Sequence, residues 1–169
     1  MLAGCGGGNP GTVPTIGPDE VKADSAAVGA LLELERTAVI AYEVAQGRLR
    51  GAARTVAQRL RGHEQAHGRA IEQALGSLGA RVPPLRPRSR YMAGFPTVTT
   101  TQDALRFVLD IENTQVSAYA DALVTIFTPA LRVTVASILA VEAEHMSVIL
   151  GELHQPQASQ SLVTGNAPT

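Results

Sequence analysis

Two short segments of the 169-residue chain pair a carboxylate with an imidazole at a spacing suited to holding one ion: Glu64-Gln-Ala-His67 and Glu142-Ala-Glu-His145. Residues three apart on a helix lie one turn along the same face, so both side chains of each pair can reach a common ligand. One such pair is weak, because with ten glutamates in the chain any histidine has about a 6% chance of a glutamate three positions upstream. Here each pair is preceded by a matching segment. Glu35-Arg-Thr37-Ala-Val39-Ile-Ala41-Tyr42 and Glu112-Asn-Thr114-Gln-Val116-Ser-Ala118-Tyr119 agree in Glu, Thr, Val, Ala and Tyr at an offset of 77, and the Glu-x-x-His pairs follow at an offset of 78. The chain is therefore an internal duplication of Glu, then Glu-x-x-His.

The placement of these residues matters more than their identity. Glu35 lies four residues after Leu31 and three before Ala38; Glu112 lies four after Val108 and four before Val116; Glu64 and Glu142 lie four after Leu60 and Ile138. All four carboxylates fall within apolar helical stripes rather than opposite them. Burying an unpaired carboxylate costs several kcal/mol even after relaxation, and four facing one another would repel or take up protons. Two divalent cations neutralise four carboxylates, with His67 and His145 as neutral nitrogen ligands. A single cysteine excludes a thiolate cluster and an internal disulfide. This oxygen and nitrogen set favours iron or manganese over zinc. Tyr42 and Tyr119 follow their glutamates by two turns on the same face. They are placed either to hydrogen-bond a ligand or redox intermediate, or to pack their rings with the hydroxyl satisfied on a neighbour. His63 should face a different side from Glu64, as a surface residue or an outer partner of the ligands. His154 reads as a helix-end residue, and Glu33, Glu43 and Glu144 should point to solvent.

Four helical segments position these groups. Their apolar stripes run through Leu31 to Leu49, Val56 to Leu78, Leu105 to Ile126 and Leu131 to Leu153. The first two meet near Arg50-Gly51. Thr100 with Asp103 resembles a capping box, and Thr128-Pro129 offers a cap and a first-turn proline. Residues 76–101, with four prolines, four arginines and no period, make a long crossover; its arginines read as a solvated loop or a contact for anionic lipid or a partner. At 1.5 Å per residue the two arms of the first hairpin, from glutamate to turn, are each roughly 21 Å, so the six ligand candidates meet in one layer. The expected fold is all-α, a ferritin-like up-down four-helix bundle of two pseudo-repeated hairpins over residues 20–154.

Charge and termini complete the bounds. With 14 basic against 15 acidic residues and no run of like charge, nothing points to a nucleic-acid surface or a polybasic membrane contact. No segment reaches roughly 18 consecutive apolar residues, so no membrane span is expected. Residues 1–19, rich in glycine and proline, read as a flexible tether, and residues 155–169 as a flexible tail. Leu2-Ala3-Gly4-Cys5 has the form of a bacterial lipobox, which expects a lipid on Cys5, an upstream signal missing from this sequence, and an extracytoplasmic membrane lipoprotein; failing that, a cytoplasmic protein.

LDIENTQVSAYADAL and VEAEHMSVILGEL resemble the exported ferritin-like domain proteins of bacteria, including those described as desiccation-related, within the di-iron carboxylate superfamily. The likeness spans about residues 25–154. It implies Glu35 and Glu112 as terminal or bridging carboxylates, Glu64 and Glu142 as bridging ones, and His67 and His145 as nitrogen ligands to two iron, or manganese, ions. It also implies reaction with dioxygen or peroxide: ferroxidase, peroxidase or catalase-like chemistry. The competing expectation is a non-catalytic surface or stress module whose metal site is vestigial or structural. A homodimer is compatible with either, whereas a storage cage fits poorly with a lipid and tether on every subunit.

Overall fold

A computed structural model describes residues 16–158 and Gly165. Cys5 with its lipobox-like neighbours, the rest of the tether before residue 16, and most of the tail lie outside the described residues.

Four long helices form two hairpins: α1 (Pro18–Gln46) with α2 (Gly51–Ser77), and α4 (Thr101–Thr125) with α5 (Pro129–Glu152). A one-turn helix, α3 (Arg88–Tyr91), lies in the crossover between them. The first hairpin turns at Gly51, whose φ of 54° is costly for a residue with a Cβ. The Thr100 capping box closes as expected: Asp103 N–H donates to Thr100 Oγ1 at 3.0 Å and Thr100 N–H to Asp103 Oδ2 at 2.9 Å. At α5 the expectation is only half met. Pro129 occupies the first turn, but the Thr128 side chain makes no cap hydrogen bond. The second turn is instead held by Asp24 of α1, a buried residue whose carboxylate accepts from Phe127 N–H and Thr128 N–H, each at 2.8 Å. His154 does end a helix, in the left-handed conformation at φ 57°, with Gln155 N–H returning to Leu150 O at 2.9 Å.

The crossover is largely exposed but is pinned to the bundle at several points. Tyr91 is buried, and Arg36 Nη1 donates to Pro83 O at 3.0 Å. Arg86 pairs with Glu33 at 2.8 Å, and Arg88 pairs with Glu43. Glu33 and Glu43 therefore face the crossover rather than solvent, because its arginines supply their counter-charges; Glu144 is exposed as expected.

Helix α1 packs on α2 and α4, and α4 on α5, while the α2–α5 seam is thinner. The core falls into two apolar groups. One surrounds Tyr42, Leu49, Leu60, Phe107 and Ile149; the other surrounds Leu32, Ile71, Tyr119, Ile126 and Val135. A polar layer separates them. Contrary to expectation, one helix does pass the length and composition test for a membrane span: α5 has a window of mean hydropathy 1.6. One face of it buries Leu131, Val135, Ile138 and Ile149 together with Glu142 and His145 inside the bundle, as the inward face of a bundle helix does.

Candidate metal centre

Each long helix contributes to the layer: Glu35 from α1, Glu64 and His67 from α2, Glu112 from α4, Glu142 and His145 from α5. All six are buried, and none of the four carboxylates is more than 1% exposed. The structure thus brings together every ligand candidate that the repeat singles out. They fall into two overlapping groups, Glu35, Glu64, His67 and Glu142, and Glu64, Glu112, Glu142 and His145; within each group one donor atom per residue lies within 4.8 Å of the others. Glu64 and Glu142 belong to both.

The contacts run through the histidine Nδ1 atoms. His67 Nδ1 is 2.9 Å from Glu142 Oε1 and 3.5 Å from Glu35 Oε2. His145 Nδ1 is 3.0 Å from Glu64 Oε1 and 3.3 Å from Glu112 Oε2 and Glu142 Oε2. These distances are short, but the angles are poor: Glu35 Oε2, Glu64 Oε1, Glu112 Oε2, both Glu142 oxygens and both Nδ1 atoms have no hydrogen-bond partner. The atoms converge on shared points instead of on one another. Buried polar atoms are nearly always paired, and a cluster of unpaired carboxylate oxygens and imidazole nitrogens around a common centre is the donor set of divalent cations. The residues present fit two such ions.

The oxygens facing away from the centre are occupied. Tyr42 of the first hairpin donates to Glu112 Oε1 of the second, and Tyr119 of the second donates to Glu35 Oε1 of the first. The tyrosines thus do both things the sequence left open: their rings pack in the two apolar groups and their hydroxyls touch candidate ligands. Gln115 Nε2 donates to Glu64 Oε2 at 2.9 Å. His63 Nδ1 lies 2.9 Å from His145 Nε2, and the two rings stack with centroids 5.1 Å apart. His63 is thereby an outer partner of a candidate ligand, although exposed. Gln115 was recognisable only as a polar residue one turn after Glu112; its counterpart in the first hairpin, Ala38, gives no hint.

Electrostatics show how uncomfortable the layer is without cations. Burial pushes the Glu35 carboxyl up to about 8 against the pull of the nearby His67 imidazole, with repulsion from Glu64 and Glu142 adding to it. Burial also raises Glu112, helped by Glu64. Burial opposes charge on His67, but the close Glu142 and Glu35 carboxylates lift it to about 10. His145 rises to about 12, again against burial, through Glu112, Glu142 and Glu64. Glu142, despite burial, is held down at about 2 by His145 and His67. Apart from Glu142, these groups retain protons where ordinary carboxyls and imidazoles release them, and a cation pair would take the place of those protons.

Comparison with known proteins bears on the same residues. The family model described as "Ferritin-like domain" matches residues 23–155. Among solved structures, the chain is similar to a ferritin-like, diiron-carboxylate protein from Bacillus anthracis, with a TM-score of 0.65 at 20% identity over 79% of this chain and 97% of that one. It is also similar to a conserved hypothetical protein from Mycobacterium tuberculosis, with a TM-score of 0.69 at 18% identity over 78% and 97%. At such identities the likeness shows the fold. No curated protein sequence matches the chain significantly.

Proposed function

Since this chain belongs to the ferritin-like domain family, we propose that its polar layer holds two iron or manganese ions and that the protein is a redox protein acting on dioxygen or peroxide. The observation carrying this is the convergence of unpaired Glu and His atoms, all within 4.8 Å in two groups that share Glu64 and Glu142. In this reading Glu35 with His67 would hold one ion and Glu112 with His145 the other, with Glu64 and Glu142, common to both groups, available to each. The bound metals supply the electron transfer to dioxygen or peroxide that side chains do not provide.

The chain itself does the rest. Tyr119 and Tyr42 fix one oxygen of Glu35 and Glu112, so that the other faces the centre, and Gln115 does the same for Glu64. Donors on the outer side of ligands orient them and adjust their basicity. The apolar groups above and below exclude water, which strengthens every charge interaction inside. A lipid on Cys5 outside the cytoplasm belongs to the same proposal and rests on Leu2-Ala3-Gly4-Cys5 alone.

Elemental analysis tests the site: the wild-type chain should carry two metals, and Glu64→Ala or His67→Ala should lose that stoichiometry. Unchanged metal content in either variant overturns the assignment. Stopped-flow mixing of the ferrous-loaded chain with oxygen or peroxide tests the chemistry; no rapid absorbance change leaves a bundle that uses metal only for structure. Mass spectrometry of the N-terminus of protein from its native compartment tests the anchor.

A further inference from the structure

The two halves of the layer are not equally enclosed. Between α1 and α2 a cleft of about 440 Å³ runs from the surface to Glu35 and Glu64, within the 300–1,000 Å³ span typical of small-molecule sites. Gly68, the residue after His67, makes room for it: a Cβ there would meet Glu35 Cβ and Leu32 Cδ1 at 3.8 Å, ordinary contact, so any longer side chain would have to enter the cleft. At the 78-residue offset the other hairpin carries Met146, a half-buried side chain, in that place. His63 further covers His145 from outside. The cleft thus reaches the layer at Glu35 and Glu64, on the side where His67 is 8% exposed against 2% for His145.

Its walls state what would fit. Leu32, Val39 and Ile40 of α1 and Leu85 of the crossover are apolar. Leu85 is 76% exposed, yet it is fixed over the cleft because Arg86 pairs with Glu33 and Arg36 binds Pro83 O on either side of it. Two cations and the Glu72 carboxylate line the outer part of the cleft. Arg36 is engaged by Glu33 at 2.8 Å and Glu72 at 3.1 Å, whereas Arg69, exposed at the rim, has no ion-pair partner among the described residues.

We propose that this cleft binds a medium-chain organic acid, its carboxylate on Arg69 at the rim, its chain against Leu32, Val39, Ile40 and Leu85, and its uncharged end toward the Glu35–His67 metal position. The inner end is uncharged because the walls there are the Glu35 and Glu64 carboxylates, which would repel a second carboxylate and be engaged by the metal ions; this orientation rests on the metal reading above. Covering Leu85 supplies apolar burial that the free protein lacks.

Decanoate titrated calorimetrically into the full chain, with decylamine as the opposite-charge control, tests the proposal. One decanoate per chain should bind and decylamine should not; Arg69→Ala should weaken decanoate about fivefold, the size of an exposed ion pair. Gly68→Leu should abolish binding by filling the cleft, and Leu85→Asp, on an exposed loop where folding is not at stake, should weaken it. No decanoate binding to the wild type, equal binding of decylamine, or undiminished binding in Leu85→Asp overturns the proposal. Metal content is read separately by elemental analysis. Two metals with no decanoate bound removes the cleft ligand and keeps the metal reading, and decanoate bound to a chain that takes no metal does the reverse.

Discussion

Each tyrosine that follows a glutamate by two turns spends its hydroxyl on the glutamate of the other hairpin, Tyr42 on Glu112 and Tyr119 on Glu35. Removing either hydroxyl leaves a buried carboxylate oxygen with no donor, at a cost of about 1–3 kcal/mol. Tyr42→Phe and Tyr119→Phe should therefore each lower the urea midpoint of metal-free protein by a similar amount, because duplication has given them equivalent roles; loss in one variant only would show that the halves are held differently. The same carboxylates set the pH dependence of protein stripped of metal. His67, raised from 6.5 to about 10, gives a contribution complete below its unfolded value and lost as pH rises through about 10. Glu35, raised from 4.5 to about 8 by burial, keeps a proton that the unfolded chain has already released, so stability also falls between those values. Glu142, lowered to about 2, acts the other way, its contribution lost as pH falls below 4.5 toward 2. Metal-free protein should be most stable near pH 5 and weaken steadily to about pH 9 by urea unfolding. A stability that rises over that interval would contradict these proton assignments.

At the scale of elements, Asp24 joins the start of α1 to the turn between α4 and α5 through two backbone donors at 2.8 Å. Asp24→Ala strands both N–H groups and should cost about 2–3 kcal/mol, with faster hydrogen exchange at the N-terminal turn of α5 while the α1–α2 turn stays protected. Exchange that is unchanged at α5 would mean the turn is held by Pro129 alone. No local pattern announces this contact, because its partners are about a hundred residues apart and an aspartate near a helix start reads as a dipole effect. What the sequence makes legible follows from periodicity: a glutamate on an apolar stripe signals a buried charge, and its repetition fixes all six ligand candidates and the bundle that gathers them. What it hides depends on packing between hairpins. His63, one residue before Glu64, belongs by helical geometry to another face, yet it reaches His145 because the thin α2–α5 seam lets an outer residue of α2 lie over α5. The turn Arg88–Tyr91 is too short to show a period, and the arginines around it find Glu33 and Glu43 only once α1 lies beside the crossover.

For the whole molecule, a polar layer across the middle of the bundle leaves two apolar groups that do not merge into one core. The α2–α5 seam is the weakest side, and it is where Glu64 and His67 face Glu142 and His145. Ions held by those four residues together with Glu35 and Glu112 would tie all four long helices at the level where apolar packing is interrupted. Because the unfolded chain does not gather these ligands, metal affinity becomes folding free energy: at a thousandfold excess over Kd, about 4 kcal/mol, or roughly 10 °C in melting temperature for a domain of this size. Calorimetry of chelator-treated protein before and after addition of ferrous or manganous ion should show that rise, and hydrogen exchange should slow most at the facing turns of α2 and α5. Glu142→Ala removes the one carboxylate whose two oxygens both face histidines, so it should keep the fold and lose the metal-dependent shift. Equal melting temperatures with and without metal in the wild-type chain would mean that the bundle stands on its two apolar groups alone, its ionised carboxylates and charged histidines compensating one another across the layer.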